Sequence, residues 1–121
     1  MQLKRVVVTG LGALTPIGND VQSYWESLSN GVSGADMITQ FDTTKFKSKF
    51  ACEVKGFNPE NFMDRKEARK MDLFIHYALG AAAMALADSG LEINDDNAER
   101  VGVVVGSGMG GLPAIEKYQE A

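Results

Sequence analysis

The sequence has one cysteine, Cys52, and one histidine, His76. A lone thiol excludes an internal disulfide framework, and one thiol with one imidazole leaves too few ligands for a structural zinc site. No apolar run approaches the roughly 20 residues of a membrane-spanning helix, so no membrane partner is expected. Basic residues are not in excess: 12 Lys and Arg face 16 Asp and Glu, for a net charge of -4, which argues against nucleic acid. Repeats and low-complexity tracts are absent. The basic start, Met1-Gln2-Leu3-Lys4-Arg5, leads into only three valines before Thr9-Gly10, which fits neither a signal peptide nor a transit peptide. A cytoplasmic or matrix-like location is therefore expected.

What remains is an ordinary globular composition, 45% hydrophobic and 23% charged in 121 residues, sufficient for one domain or part of one. The longest organised stretch is DRKEARKMDLFIHYALGAAAMALADSG, residues 64–90. Asp64 with Glu67 reads as a capping box and Gly90 as a left-handed stop, which predicts a single helix throughout. Met71, Phe74, Ile75, Ala78, Leu79, Ala82 and Leu86 recur at helical spacing and form the expected core face. The opposite stripe, Arg69, Asp72, His76, Gly80, Ala83 and Ala87, is polar for two turns and small thereafter, so another backbone is expected to come close there. Arg65, Lys66, Arg69 and Lys70 make the helix head a positive patch on an acidic chain. Such a patch is ordinarily a solvated helix start, but cations oppose the macrodipole at an N-terminus, which favours a docking anion.

In chain order, Lys4 to Thr9 and Arg100 to Gly106 are continuous valine-rich runs, the pattern of strands covered on both faces in a parallel sheet. Asp20 to Asn30 reads as an amphipathic helix with Val21, Tyr24, Trp25 and Leu28 inward, capped by Asn19 or Asp20 and closed by Gly31. Residues 32–44 lack a period and read as a surface excursion. Residues 45–57 alternate and predict a half-exposed strand with Cys52 on its covered side. Residues 91–99 form an acidic connector with room for a helical turn, and a last helix opens at Leu112 with Pro113 in its first turn. Strands separated by helices predict an α/β fold with a mainly parallel sheet.

Two glycine-rich turns invite a nucleotide reading. Gly10-Leu11-Gly12 lacks the third glycine of the dinucleotide fingerprint, whose place falls at Thr15. Gly106-x-Gly108-x-x-Gly111 matches it between a strand and a helix, leaving nucleotide binding and close packing beside some other ligand both open. Cys52 lies mid-strand with nothing to lower its pKa and reads as a packed thiol. His76, one turn beyond Asp72, reads as a helix-surface contact, so no catalytic set emerges. Met63, Met71, Met84 and Met109 read as gap-filling core residues, with Met109 also able to face a cavity.

Five segments in register carry a resemblance: VVVTGLGALTPIG at 6–18, FDTTKF at 41–46, RKEARKMD at 65–72, ALADSGLEI at 85–93 and VGSGMGG at 105–111. Together they resemble the start of the elongating beta-ketoacyl-[acyl-carrier-protein] synthases of type II fatty acid synthesis. The resemblance implies a thiolase-like α/β fold, stacked in α/β/α/β/α layers in the full-length family, of which residues 1–121 would open the first half. It implies a homodimer and a decarboxylating Claisen condensation. An acyl group passes from its carrier to an active-site cysteine, malonyl carrier protein loses carbon dioxide, and the carbanion attacks the thioester. No metal or other cofactor is implied. The partner is acyl carrier protein with phosphopantetheine-linked acyl and malonyl groups. Family members are several times longer, and their cysteine, in a TACTSG-like turn, and two histidines all come later. Neither Cys52 nor His76 therefore inherits a catalytic role, and the segment alone is expected to be inactive. Lys66, Arg69 and Lys70 match the family's carrier-docking cations, and Met109 matches a residue bordering the acyl pocket, commonly isoleucine. The rival expectation is a stand-alone α/β module that binds nucleotide or carrier protein.

Overall fold

Capping chemistry sets the helix boundaries. In the computed structural model, which describes residues 3–119, helix α1 (Val21–Ser29) starts at Asp20, whose carboxylate accepts the Ser23 amide at 2.7 Å. It ends at Asn30, followed by Gly31 at φ +68°. Strands β1 (Ala35–Met37) and β2 (Phe50–Cys52) follow, then helices α2 (Arg65–Ala68), α3 (Leu73–Ser89) and α4 (Leu112–Gln119). Tight 3-10 turns occupy Pro59–Asn61 and Ala98–Arg100, the second meeting the expected turn in the acidic connector. The chain forms two compact units, one of residues 13–58 and one of the residues through Gly12 with those from Pro59 onward.

Within the 13–58 unit, β1 and β2 pair antiparallel in the register Ala35 with Cys52, Asp36 with Ala51 and Met37 with Phe50. The expected surface excursion thus contains a strand, and the expected strand over 45–57 shortens to three residues. Its faces are also reversed: Ala51 is half-buried whereas Phe50 and Cys52 are exposed. The Ile38 amide donates to the Lys49 carbonyl at 3.0 Å at the end of the ladder, and residues 45–48 lie outside it. Side chains add to the backbone pairing. Lys55 Nζ donates to Asp36 at 2.9 Å, Thr39 Oγ1 donates to Glu53 at 2.8 Å, and Asn19 Nδ2 donates to the Lys55 carbonyl at 2.7 Å. These contacts hold the Asp36 carboxyl, through Lys55, and the Glu53 carboxyl, through Thr39, below the usual carboxylate range. Trp25 and Leu28, expected inward on α1, are 65% and 48% exposed.

In the other unit, the helix expected over 64–90 is two helices. Asp64 caps α2 as read, accepting the Lys66 amide at 2.7 Å, but Glu67 turns to Lys70 instead of completing the box. Asp72 is extended (φ -76°, ψ 161°) and starts α3 afresh. At the break, the Ala68 carbonyl accepts both His76 Nε2 at 2.7 Å and the Met71 amide at 3.3 Å. These two bonds occupy the acceptor that the amide of residue 72 would claim in a continuous helix. Gly90 ends α3 at φ +64°, the left-handed stop expected there.

Cover on α3 follows neither stripe: Phe74, Ile75 and Ala78 on the apolar stripe are half-buried, and Ala83 and Ala87 on the small one are exposed. His76 and Gly80, on the polar and small stripe, are buried, while Leu79 and Leu86 on the apolar stripe are 41% and 40% exposed. The first glycine turn covers a third line of the helix, Ala81, Ala85 and Ser89. A Cβ added at Gly10 would stand 2.6 Å from the Ser89 amide nitrogen, and one at Gly12 would stand 2.8 Å from that of Ala85. The Gly10–Gly12 segment therefore lies directly on the α3 backbone, and the Leu11 amide donates to Asp88 at 2.8 Å. Close backbone approach, not a phosphate, is what these glycines serve.

The valine-rich runs, expected as buried parallel strands, join no ladder; the only sheet among the described residues is the antiparallel hairpin. Val6, Val8, Val103 and Val104 are 91, 79, 83 and 98% exposed. Val103 and Val105 lie against Phe74 and Ala78 of α3 around a cavity of about 290 Å³, which leaves their other face open. Ala68 is the sole buried hydrophobic residue among those described. No described helix is long and apolar enough to cross a membrane.

Candidate functional site

Short-range chemistry places the basic patch. Ala68 is buried and anchors α2, and its carbonyl is held by His76, so the chain leaves the helix at Arg69 with its side chains turned outward. Lys66, Arg69 and Lys70 are all exposed. Lys70 Nζ pairs with Glu67 at 2.8 Å and Arg65 Nε with Glu60 at 3.3 Å. Among the described residues, Lys66 and Arg69 carry no ion pair. The expected conflict with the helix macrodipole is eased by the break: α2 is four residues long, and Arg69 and Lys70 follow its C-terminus, where carbonyls favour cations. Across a cleft of about 280 Å³ from Arg69, Lys70 and Asp72 stand Lys117 and Tyr118 of α4. Sequence reading missed those two residues. Their spacing from Pro113 and Ala114 marks one face of α4, but nothing local says what that face meets.

The second glycine turn lies beside α4. Gly110 has φ +65° and its amide donates to Ser107 Oγ at 3.1 Å, while Met109 is 71% exposed. The Asp72 carboxylate fills the space where a Cβ at Gly111 would lie. An anion already sits at the start of α4, where a dinucleotide would place its pyrophosphate, so the fingerprint does not serve as a nucleotide cradle here.

The chemical groups singled out in the sequence are not assembled. Cys52 is exposed on β2 and His76 is a buried hydrogen-bond donor; the two belong to different compact units. Among the described residues, no three His, Cys, Asp or Glu side chains gather as a metal site. Among the described residues, the arrangement offers an exposed, positively charged surface.

Residues 3–121 match the family model of the beta-ketoacyl synthase N-terminal domain. The chain belongs to this family. It is 54% identical over 121 residues to the 3-oxoacyl-[acyl-carrier-protein] synthase 2 of Vibrio cholerae, covering all of this chain and 29% of that protein. To the Staphylococcus aureus synthase 2 it is 52% identical over 115 residues, 95% of this chain and 28% of the relative. A solved type II polyketide ketosynthase, in complex with its acyl carrier protein and bound to a hexaketide, superposes with a TM-score of 0.72 at 30% identity. That match covers 94% of this chain and 30% of the solved one. Mixed helix and strand content together with these ketosynthase neighbours supports the α/β, thiolase-like class expected from the sequence. The chain thus spans under a third of the length of the relatives it matches.

Proposed function

We propose that this chain is the N-terminal segment of an elongating 3-oxoacyl-[acyl-carrier-protein] synthase, an acyltransferase that condenses an acyl thioester with malonyl carrier protein in fatty acid synthesis. The observation that carries this is the 54% identity to the Vibrio cholerae synthase across the whole chain. In the complete enzyme the two valine-rich runs enter a parallel sheet within stacked α/β layers, and the enzyme is a cytoplasmic homodimer. Lys66, Arg69 and Lys70 form the face that meets the carrier protein; Lys66 and Arg69, without ion pairs among the described residues, are the ready contacts. Met109 borders the acyl pocket, where its length and flexibility tune the preferred chain length. The segment itself supplies docking and pocket wall, and the cysteine and histidines that perform the chemistry belong to the remainder.

A chimera tests this reading: residues 1–121 replace the matching stretch of the Vibrio cholerae synthase, and condensation of acyl and malonyl carrier protein is assayed. The chimera should fold and elongate acyl chains at a rate within about a hundredfold of the parent, the range left by modest geometric misfit at a distance from the chemistry. A folded but inactive chimera would sink the assignment.

A further inference from the structure

We propose that Lys117 of α4 is a further carrier-protein contact, and that the cleft it shares with Arg69 receives an acidic side chain of the carrier. The inference rests on the carrier-docking reading of the Lys66, Arg69 and Lys70 patch. Nothing in the sequence pattern joins Lys117 to that patch, since 46 residues lie between it and Lys70. The fold does: Arg69 and Lys70 line one side of a cleft of about 280 Å³ and Lys117 and Tyr118 the other. Lys117, like Arg69, has no ion pair among the described residues. Three cations therefore face one carboxylate, Asp72, in the lining, on a chain whose net charge is -4.

A water occupies about 30 Å³ of liquid, so the cleft has room for a carboxylate side chain with its hydration partly retained. Arg69 can grip such a group with its planar fork, while Lys117 acts as a compact point charge and Tyr118 adds an apolar wall. The surface runs continuously from the α2 patch onto α4. Contacts of this kind, exposed and salt-sensitive, set encounter rate and partner choice more than raw affinity.

The test uses the complete synthase carrying this segment, with Lys117→Glu, Lys117→Ala and Lys66→Glu compared. Each is assayed with the same acyl group delivered on carrier protein and on coenzyme A. Lys117→Glu should raise KM for the carrier-linked donor about two- to fivefold more than for the coenzyme-linked donor, the size expected of an exposed charge pair. Lys117→Ala should act in the same direction with a smaller effect, and 0.5 M salt should compress both. If Lys66→Glu raises the carrier KM and neither Lys117 variant does, the cleft is not a carrier contact and the docking patch stands without it. If both donors are affected equally, Lys117 does not read the carrier surface, and the proposal falls. If Lys66→Glu is also silent, carrier docking lies elsewhere and the underlying reading falls with it.

Discussion

A single imidazole bridges the break between two helices. His76 is 8% exposed and donates Nε2–H to a carbonyl, so the proton must sit on Nε2 in the neutral ring. Its role is to hold the end of α2 against α3, which in turn presents Arg69 and Lys70. In the full-length enzyme, His76→Ala should lose about 0.5–1.5 kcal/mol of stability, the net worth of one hydrogen bond to a carbonyl that still accepts the Met71 amide, measured by denaturant unfolding. His76→Gln, which retains a donor, should recover part of that loss. An alanine variant as stable as the parent would show that the latch is dispensable. Neither the burial nor the bond was legible in the sequence, where His76 reads as a surface neighbour of Asp72. The bond reaches back eight residues, beyond the three- and four-residue pairs that helical spacing relates.

At the scale of elements, boundaries were more legible than faces. Asp20, Asp64 and Gly90 act where they were read, because a cap involves only neighbours within three residues or so. Strand β1 was missed because three residues held by pairing with a distant segment carry no period of their own. The hairpin also carries a pH dependence. Asp36 and Glu53 have folded-state pKa values below their ordinary ones, so the stability they lend is present above the ordinary carboxylate pKa of about 4 and is lost as pH falls through the lower folded values. Amide protection factors across β1 and β2, which are corrected for the intrinsic exchange rate, should therefore fall on acidification below about pH 4. Glu53→Gln should flatten that response, since it keeps the Thr39 contact without a titrating group. An unchanged acid response in the variant would remove Glu53 from the account.

At the scale of the molecule, the chain lacks cover. It exposes 10225 Å², whereas a folded monomer of its 13.1 kDa would expose about 6,400 Å² by the mass–area scaling. Much of the excess is apolar, with Val6, Val104, Trp25 and Tyr118 each at least 65% exposed. Surface of this kind marks an interaction face or an aggregation liability. The 121-residue chain alone should therefore bind an apolar-surface dye strongly, self-associate in sizing experiments and show no condensation. A monodisperse chain that ignores the dye and unfolds cooperatively would contradict this reading.

The helix caps, the position of the basic patch and, through five ordered segments, the family could all be read along the chain. Each depends on short-range chemistry or on order along the chain. The tertiary structure alone decided which face of α3 is covered, that Gly10 and Gly12 lie on its backbone, and that Lys117 shares a cleft with Arg69. Each of these depends on which distant segment arrives, and amphipathic spacing reports only that a face can be covered, never by what.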